Sequence, residues 1–173
     1  MPQASGLQFT ATIGEYSSDH FSVVGFALTE RLSELFQGRL DLASTDPSVV
    51  ASKVLEQPVN LVIWQDRAPL RRFTGVVSEF ARGDSGHRRT RYELVFRPPL
   101  WRLALMHNSR IFQNRGTDEI VRTLLEERGV VDTVFDLERR PEEREYCVQH
   151  RESDLAFVER LAAEEGWHYR YQH

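Results

Sequence analysis

The sequence has little of several features that would point to particular classes of protein. Only one of its 173 residues is a cysteine, Cys147, so the chain cannot form an internal disulfide, and no Cys-x-x-Cys is present to hold zinc. No apolar run approaches the roughly 20 residues that a membrane-spanning helix needs. No basic run followed by an apolar run opens the sequence, as a secretory signal would require. We therefore expect a chain that is made in the cytosol and buries a core of about one or two domains.

The common catalytic and cofactor-binding motifs are also missing. The sequence contains no His-Glu-x-x-His, no Gly-x-x-x-x-Gly-Lys, no Gly-x-Gly-x-x-Gly and no Gly-x-Ser-x-Gly. These absences argue against a zinc protease, a phosphate-loop enzyme, a dinucleotide-binding domain and an α/β-hydrolase. We expect no catalytic residues, no cofactor and no metal site.

Basic residues do not exceed acidic ones, and Lys53 is the only lysine. The net charge of -4 argues against general nucleic-acid binding, for which a basic excess is typical. The charge is unevenly distributed, because residues 114–173 carry fifteen acidic side chains against nine arginines, and residues 1–113 carry eleven against thirteen basic ones. This asymmetry predicts two domains, residues 1–112 and residues 113–173.

The first of these domains has the pattern of an antiparallel β-barrel. From Leu7 to Arg97, apolar and polar residues alternate in short runs separated by turn residues, which is typical of half-buried strands. One interruption begins at Asp46-Pro47, where a capping aspartate and a first-turn proline predict a short helix that ends before Pro58. Several short strands at this spacing favour a small closed sheet.

The second domain is predicted to be α+β and to be cut off by the end of the chain. Thr117 and Ser153 are each predicted to cap an amphipathic helix, which Gly129 and Gly166 respectively end. Strands are predicted at residues 131–137, 146–149 and 167–173. The last of these has an apolar face and would need a partner and a cover, which a longer protein would supply.

Three sets of residues could carry chemistry, and the first resembles a protease motif. Gly83-Asp84-Ser85-Gly86 matches the nucleophile loop of trypsin-like proteases, and His20 and Asp41 precede it in the order of a catalytic triad. However, His87 stands where that family continues with Gly-Pro, and Asp, Ser and Gly are the residues that turns use. We favour a plain turn and keep a serine hydrolase using Ser85 as a remote alternative.

The other two sets also have simpler structural interpretations. His150-x-Glu152-x-Asp154 fits no standard zinc spacing and is better explained as the start of a helix. A cluster of arginines on the hairpin around Gly83 could bind nucleic acid, but acidic residues among them favour a solvated face or a protein interface. The cluster comprises Arg67, Arg71, Arg72, Arg82, Arg88, Arg89 and Arg91. Cys147 is predicted to be a small buried residue rather than a nucleophile.

A series of longer motifs resembles one protein family. They are Phe26-x-x-x-Glu30-x-Leu32-Ser33-x-x-Phe36, Arg72-Phe73-x-Gly75-Val76-Val77, Pro99-Leu100-Trp101-x-Leu103, Asn108-x-Arg110-Ile111-Phe112-Gln113-Asn114, Glu119-Ile120-Val121 and Arg144-Glu145-Tyr146-Cys147-Val148-Gln149-His150-x-Glu152-Ser153-Asp154-Leu155-x-Phe157-Val158-x-Arg160-Leu161-x-x-Glu164-Glu165-Gly166-x-x-Tyr169. Together they resemble the N-terminal, phage baseplate hub-like region of VgrG, the spike protein family of the bacterial type VI secretion system. The resemblance runs from about residue 20 to the end.

The resemblance implies a structural role. It implies a hub module that joins the hexameric tube protein Hcp to a trimeric, membrane-puncturing spike, in a homotrimer of the full-length protein. Further implied partners are baseplate components and effectors carried on a later part of the protein, with no nucleic acid and with membrane contact only through the spike. The protein would assemble in the cytoplasm and then be secreted or injected into a target cell. The hub protein of a contractile phage or phage-derived tail is the alternative.

Overall fold

The structure, a computed structural model, describes residues 6–173. This part of the chain forms eight β-strands, two α-helices and two short 3-10 helices. The strands are β1 (Leu7–Ile13), β2 (Ser22–Thr29), β3 (Gln37–Ser44), β4 (Pro58–Gln65), β5 (Ala68–Ser85), β6 (Thr90–Arg97), β7 (His107–Arg115) and β8 (Arg144–Ser153). The α-helices are α1 (Thr117–Glu127) and α2 (Asp154–Glu164), and the 3-10 helices are Ala51–Lys53 and Pro99–Leu105.

The chain divides into two compact units. The first consists of residues up to Glu30, residues 36–98 and residues 171–173, and the second of residues 31–35 and 99–170. Apart from the short segments 31–35 and 171–173, the chain passes from the first unit to the second at Pro98-Pro99, whereas the predicted boundary is at residue 112. The physical reason is that β7 pairs with β8, so residues 107–112 belong to the sheet of the second unit. No helix in residues 6–173 is both long and apolar enough to cross a membrane.

The first unit is a six-stranded antiparallel sheet in the order β1-β4-β5-β6-β3-β2. The rings of Phe9 and Phe26, on the two edge strands, lie 5.2 Å apart, so the sheet curls until its edges approach each other. The alternating residues of the strands fill the concave side, as the sequence pattern predicts, and Leu40 pairs with Leu94 in this core. The predicted fold class, antiparallel strands in a barrel-like sheet followed by an α+β part, is confirmed.

One glycine in this sheet is required by packing. Gly38 lies opposite Phe96 in the β3–β6 pair, and a Cβ atom at Gly38 would come within 2.1 Å of the Phe96 ring. The aromatic ring therefore occupies the space that a side chain would take. The core at this end of the sheet depends on the absence of a side chain at position 38.

The short helix predicted after Asp46 is confirmed in part, because the helix lies before Pro58 but is shorter than predicted and does not begin at the aspartate. The carboxylate of Asp46 accepts hydrogen bonds from the Ser48 N–H at 2.8 Å and the Ser48 hydroxyl at 2.6 Å, which makes a local turn. Only Ala51–Lys53 is helical, as a 3-10 turn. The buried Val49 and Val54 draw this segment onto the core without a regular helix.

The second unit packs the β7–β8 ribbon against α1 and α2. Ser153 caps α2 as predicted, because its hydroxyl accepts a hydrogen bond from the Ala156 N–H at 3.1 Å. Gly129 and Gly166 follow the two helices in the left-handed conformation, as C-terminal glycines do. The predicted cap at Thr117 is displaced by one residue, since Gly116 is the cap and the Thr117 hydroxyl donates instead to Glu165 at 2.7 Å.

Two predicted strands are not strands in the structure. Residues 131–137 form a loop, in which Phe135 packs against the second unit's core instead of pairing with a strand. Residues 167–173 are also irregular. The rings of Tyr171 and His173 pack against Phe36, with centroids 5.0 and 4.8 Å away. In both segments side-chain anchoring replaces the backbone ladder that the alternation predicted.

Candidate assembly surfaces

The structure separates the residues of the serine hydrolase alternative. The Ser85 hydroxyl lies at the end of β5, 3.1 Å from both Thr90 Oγ1 and a guanidinium nitrogen of Arg82. His20 lies instead beside Asp46, with Nε2 and Oδ2 3.7 Å apart. Asp41 lies within β3, opposite Glu93. The arrangement around Ser85 is that of a hairpin turn and not of a triad.

The His150, Glu152 and Asp154 motif is likewise divided among separate roles. His150 is exposed, and Glu152 forms an ion pair with Arg160 at 2.6 Å. Asp154 is fully buried. Among residues 6–173, no group of three or more His, Cys, Asp or Glu side chains is arranged to hold a metal ion.

The buried Asp154 carboxylate is the centre of a polar network in the second unit. Oδ1 accepts hydrogen bonds from Asn108 and Gln149, both at 2.8 Å, and from Arg110 at 3.1 Å. Oδ2 accepts two from Arg128, at 3.1 and 2.8 Å. The network thus ties β7, β8 and the end of α1 to the first residue of α2.

The network keeps this carboxylate ionised. Burial by itself would raise the pKa of Asp154, but the hydrogen bonds from Gln149, Asn108, Arg128 and Arg110 outweigh that effect and lower the pKa to about 2. This role is not predicted from the sequence, because an aspartate is in any case expected in the first turn of a helix. The one signal for it is the spacing of Asn108 and Arg110, which stand two residues apart in a predicted extended segment and so share a face.

A second set of ion pairs joins the start of β8 to the end of α2. Arg144 contacts Glu164 at 2.5 Å and Glu165 at 2.7 Å, and Arg160 contacts Glu164 at 3.0 Å. The hydrogen bonds from Arg144 lower the pKa of both glutamates. These contacts hold the β7–β8 ribbon on the helices. The face of the ribbon that points away from the helices is therefore held in a fixed geometry.

Cys147 is buried in the β7–β8 ribbon, as predicted. Burial raises the pKa of its thiol, which disfavours the reactive thiolate. It lies on the face that packs against the helices, beside Phe112 across the strand pair. Its role is packing.

The predicted arginine cluster divides into two groups at opposite ends of β5. Arg67, Arg71 and Arg72 lie near the β4–β5 turn, whereas Arg82, Arg88, Arg89 and Arg91 surround the β5–β6 turn. Arg72 and Arg82 are ten positions apart, which corresponds to roughly 33 Å at the rise of an extended strand. A single basic surface of seven arginines therefore does not form.

A depression in the second unit is lined by charged residues. Its volume is about 420 Å³, and it is lined by Pro141, three arginines and three glutamates, namely Arg139, Arg140, Arg144, Glu142, Glu143 and Glu165. It lacks the apolar walls that are typical of small-molecule sites. The lining of this depression therefore gives no indication of a small-molecule site.

Comparison with known proteins shows the family of the chain. The family "Phage tail baseplate hub (GPD)" matches residues 29–173, and the chain belongs to this family. It is 44% identical over 166 residues to the type VI secretion system spike protein VgrG2b of Pseudomonas aeruginosa, and 39% identical over 176 residues to the spike protein VgrG3 of Vibrio cholerae. Each match covers 96% of this chain.

A solved structure supports the same assignment of fold. The Escherichia coli protein c3393, described as a component of the type VI secretion system with structural similarity to the T4 bacteriophage tail proteins gp27 and gp5, superimposes with a TM-score of 0.74 at 28% identity. The match covers 93% of this chain and 41% of that one. The chain spans only 16% and 17% of the lengths of VgrG2b and VgrG3.

Proposed function

We propose that this chain is the structural hub module of a type VI secretion spike protein. Its first unit would be a first hub barrel and its second unit the start of a second hub domain. In the intact protein, three copies would form a hub that joins the hexameric tube to a trimeric, membrane-puncturing spike. The observation that carries the proposal is the match of nearly the whole chain to VgrG spike proteins at 39–44% identity.

The surface chemistry supports a mechanical role. Two groups of charged side chains in the second unit, centred on Asp154 and Arg144, form ion pairs that join strands to helices. A module that transmits force needs such fixed geometry and needs no reactive group. We propose that this module is not catalytic, and that any enzymatic activity of the intact protein belongs to a later part.

The proposed partners follow from the same assignment. They are the tube protein Hcp, baseplate components and effectors attached to the later part of the protein, with no nucleic acid. The protein would assemble in the cytoplasm and leave the cell when the apparatus fires. A hub from a contractile phage or phage-derived tail is the alternative, and phage-like sheath and baseplate genes beside the source gene would favour it.

A chimera tests the proposal directly. This chain replaces the matching segment of Vibrio cholerae VgrG3, and release of the tube protein into the medium is measured. We expect the chimera to restore release, because a hub module of the same family presents the same assembly surfaces. The matched control carries Leu40→Asp, which places a charge in the first unit's core. A chimera that is stable and trimeric but does not restore release would refute the hub function.

A further inference from the structure

One loop of the second unit is anchored on one side and presents apolar side chains on the other. The Arg122 guanidinium lies 3.8 Å from the centre of the Phe135 ring, and Val130 and Phe135 both pack against the core. Between them, Val134 is 91% exposed and Val131 is 74% exposed. We call residues 131–136 the valine loop. Its anchoring holds two valines in water, which the hydrophobic effect disfavours unless another surface covers them.

The valine loop is also acidic. Asp132 and Asp136 are exposed, and neither forms an ion pair within residues 6–173. The Thr133 N–H donates to the Val131 carbonyl at 2.9 Å, so a tight turn places Asp132 at the tip. The loop therefore offers two valines flanked by two free carboxylates.

A second exposed apolar surface lies on the β7–β8 ribbon. Ile111 pairs directly with Val148, and Tyr146 is two residues away on the same face. Their exposures are 63%, 47% and 62%, whereas Phe112 and Cys147 on the opposite face are buried. We call Ile111, Tyr146 and Val148 the ribbon stripe. A contiguous apolar patch on a rigid sheet is typical of a protein interface.

The charges near the ribbon stripe are complementary to those of the valine loop. Arg115 ends β7 on one side of the stripe, and Arg151 lies near the other end of β8. Both are exposed, and neither forms an ion pair in the part of the chain that the structure describes. The stripe thus has an apolar centre and an unpaired arginine near each end, which an acidic, apolar loop would fit.

We propose that the valine loop of one copy docks on the ribbon stripe of a second copy. Both surfaces are exposed in the same unit, so neither covers the other within one chain. The two surfaces differ, so the contact is heterologous and can repeat head to tail until a ring closes. This inference rests on the proposed function, because a ring of three is the trimeric hub, and it names the residues through which the copies meet.

Cysteine cross-linking tests the contact. Chains carrying Val134→Cys and Ile111→Cys are mixed and oxidised, and we expect a disulfide-linked heterodimer. The matched control replaces Val24, an exposed valine of the first unit, by cysteine and mixes it with the Ile111→Cys chain. If no heterodimer forms, or if the control mixture gives an equal yield of heterodimer, the proposal is wrong. A single chain that carries both substitutions should give closed, cross-linked trimers. If it gives dimers and no larger product, the proposed ring is wrong.

Charge exchange provides a second, independent test. Asp132→Arg/Asp136→Arg and Arg115→Glu/Arg151→Glu each place like charges in the contact, and we expect each to weaken self-association about tenfold. Mixing the two variants pairs opposite charges again and should restore association. Circular dichroism checks that both variants are folded. If self-association is weakened in each variant but does not recover when the two variants are mixed, the proposed pairing is wrong.

The intact, longer protein separates this inference from the proposed function. If light scattering finds a trimer but Val134→Cys and Ile111→Cys do not cross-link within it, the contact is wrong and the hub function stands. The contact is also wrong if Ile111→Cys resists maleimide in a monomer of the intact protein, because another segment then covers the stripe. An intact protein that never trimerises refutes the hub function itself.

Discussion

Replacing Asp154 by alanine should strongly destabilise the second unit. The carboxylate is fully buried and accepts hydrogen bonds from Arg110 and Arg128, and from Asn108 and Gln149. Removing it leaves Arg128 without its counter-charge, whereas Arg110 keeps Glu127 at 2.7 Å. We therefore expect a cost near the lower end of the roughly 3–5 kcal/mol that breaking a buried ion pair costs. At about 4 °C per kcal/mol for a unit of this size, the melting temperature of the second unit should fall by about 12 °C or more.

The assay must resolve the two units. Urea unfolding followed by hydrogen exchange reports the β7–β8 ribbon separately from the sheet of the first unit. We expect ribbon amides to lose protection in Asp154→Ala while β3 and β6 retain theirs. Glu143→Ala, which removes an exposed carboxylate, is the matched control and should change stability by less than about 0.5 kcal/mol. If the free energy of unfolding of Asp154→Ala is within about 0.5 kcal/mol of the wild-type value, the reasoning is wrong.

The same carboxylate predicts how stability depends on pH. Its pKa falls from the ordinary 3.8 to about 2 in the folded protein, so the unfolded chain binds the proton more readily. The stabilisation is therefore complete above about pH 4 and is lost as the pH falls through 2. The difference between the two pKa values corresponds to about 2.4 kcal/mol of folding free energy. The stability gap between the wild type and Asp154→Asn should narrow over this range, and a constant gap would contradict the assignment.

Three further predictions concern packing, capping and reactivity. Gly38→Ala should destabilise the first unit by about 1–3 kcal/mol in urea unfolding, because the added Cβ overlaps the Phe96 ring. Ser153→Ala should cost the second unit about 1 kcal/mol, since the hydrogen bond that caps α2 is lost. Cys147 should react with iodoacetamide slowly in the folded protein and rapidly in urea, because burial both hides the thiol and raises its pKa.

Each of these predictions has a control. Gly86→Ala adds a Cβ that makes only an ordinary contact at 3.5 Å, so an equal loss at both glycines would contradict the packing argument. Ser17→Ala removes an exposed hydroxyl and should be neutral, which isolates the capping effect. Equal alkylation rates of Cys147 in folded and unfolded protein would show that the thiol is accessible.

Local patterns in the sequence determined much of the fold. Strict alternation predicted the strands of the first unit, because every second residue must enter the core of a curled sheet. Ser153 and the glycines after both helices were predicted correctly, since capping is decided within a few residues. The family motifs in residues 99–166 also indicated the hub fold, and the matches to VgrG proteins confirm it.

Only the tertiary structure decided the features that depend on distant partners. Residues 131–137 have the composition of a strand, but a strand forms only where another edge is available, and here Phe135 is held by Arg122 instead. The sequence pattern predicted that the seven arginines cluster on one hairpin, yet β5 is long enough to separate them into two groups. Asp154 meets Asn108 across 46 positions of the chain, a contact that no local periodicity records. Periodicity and capping are local, whereas pairing, anchoring and buried charge networks depend on how distant segments pack.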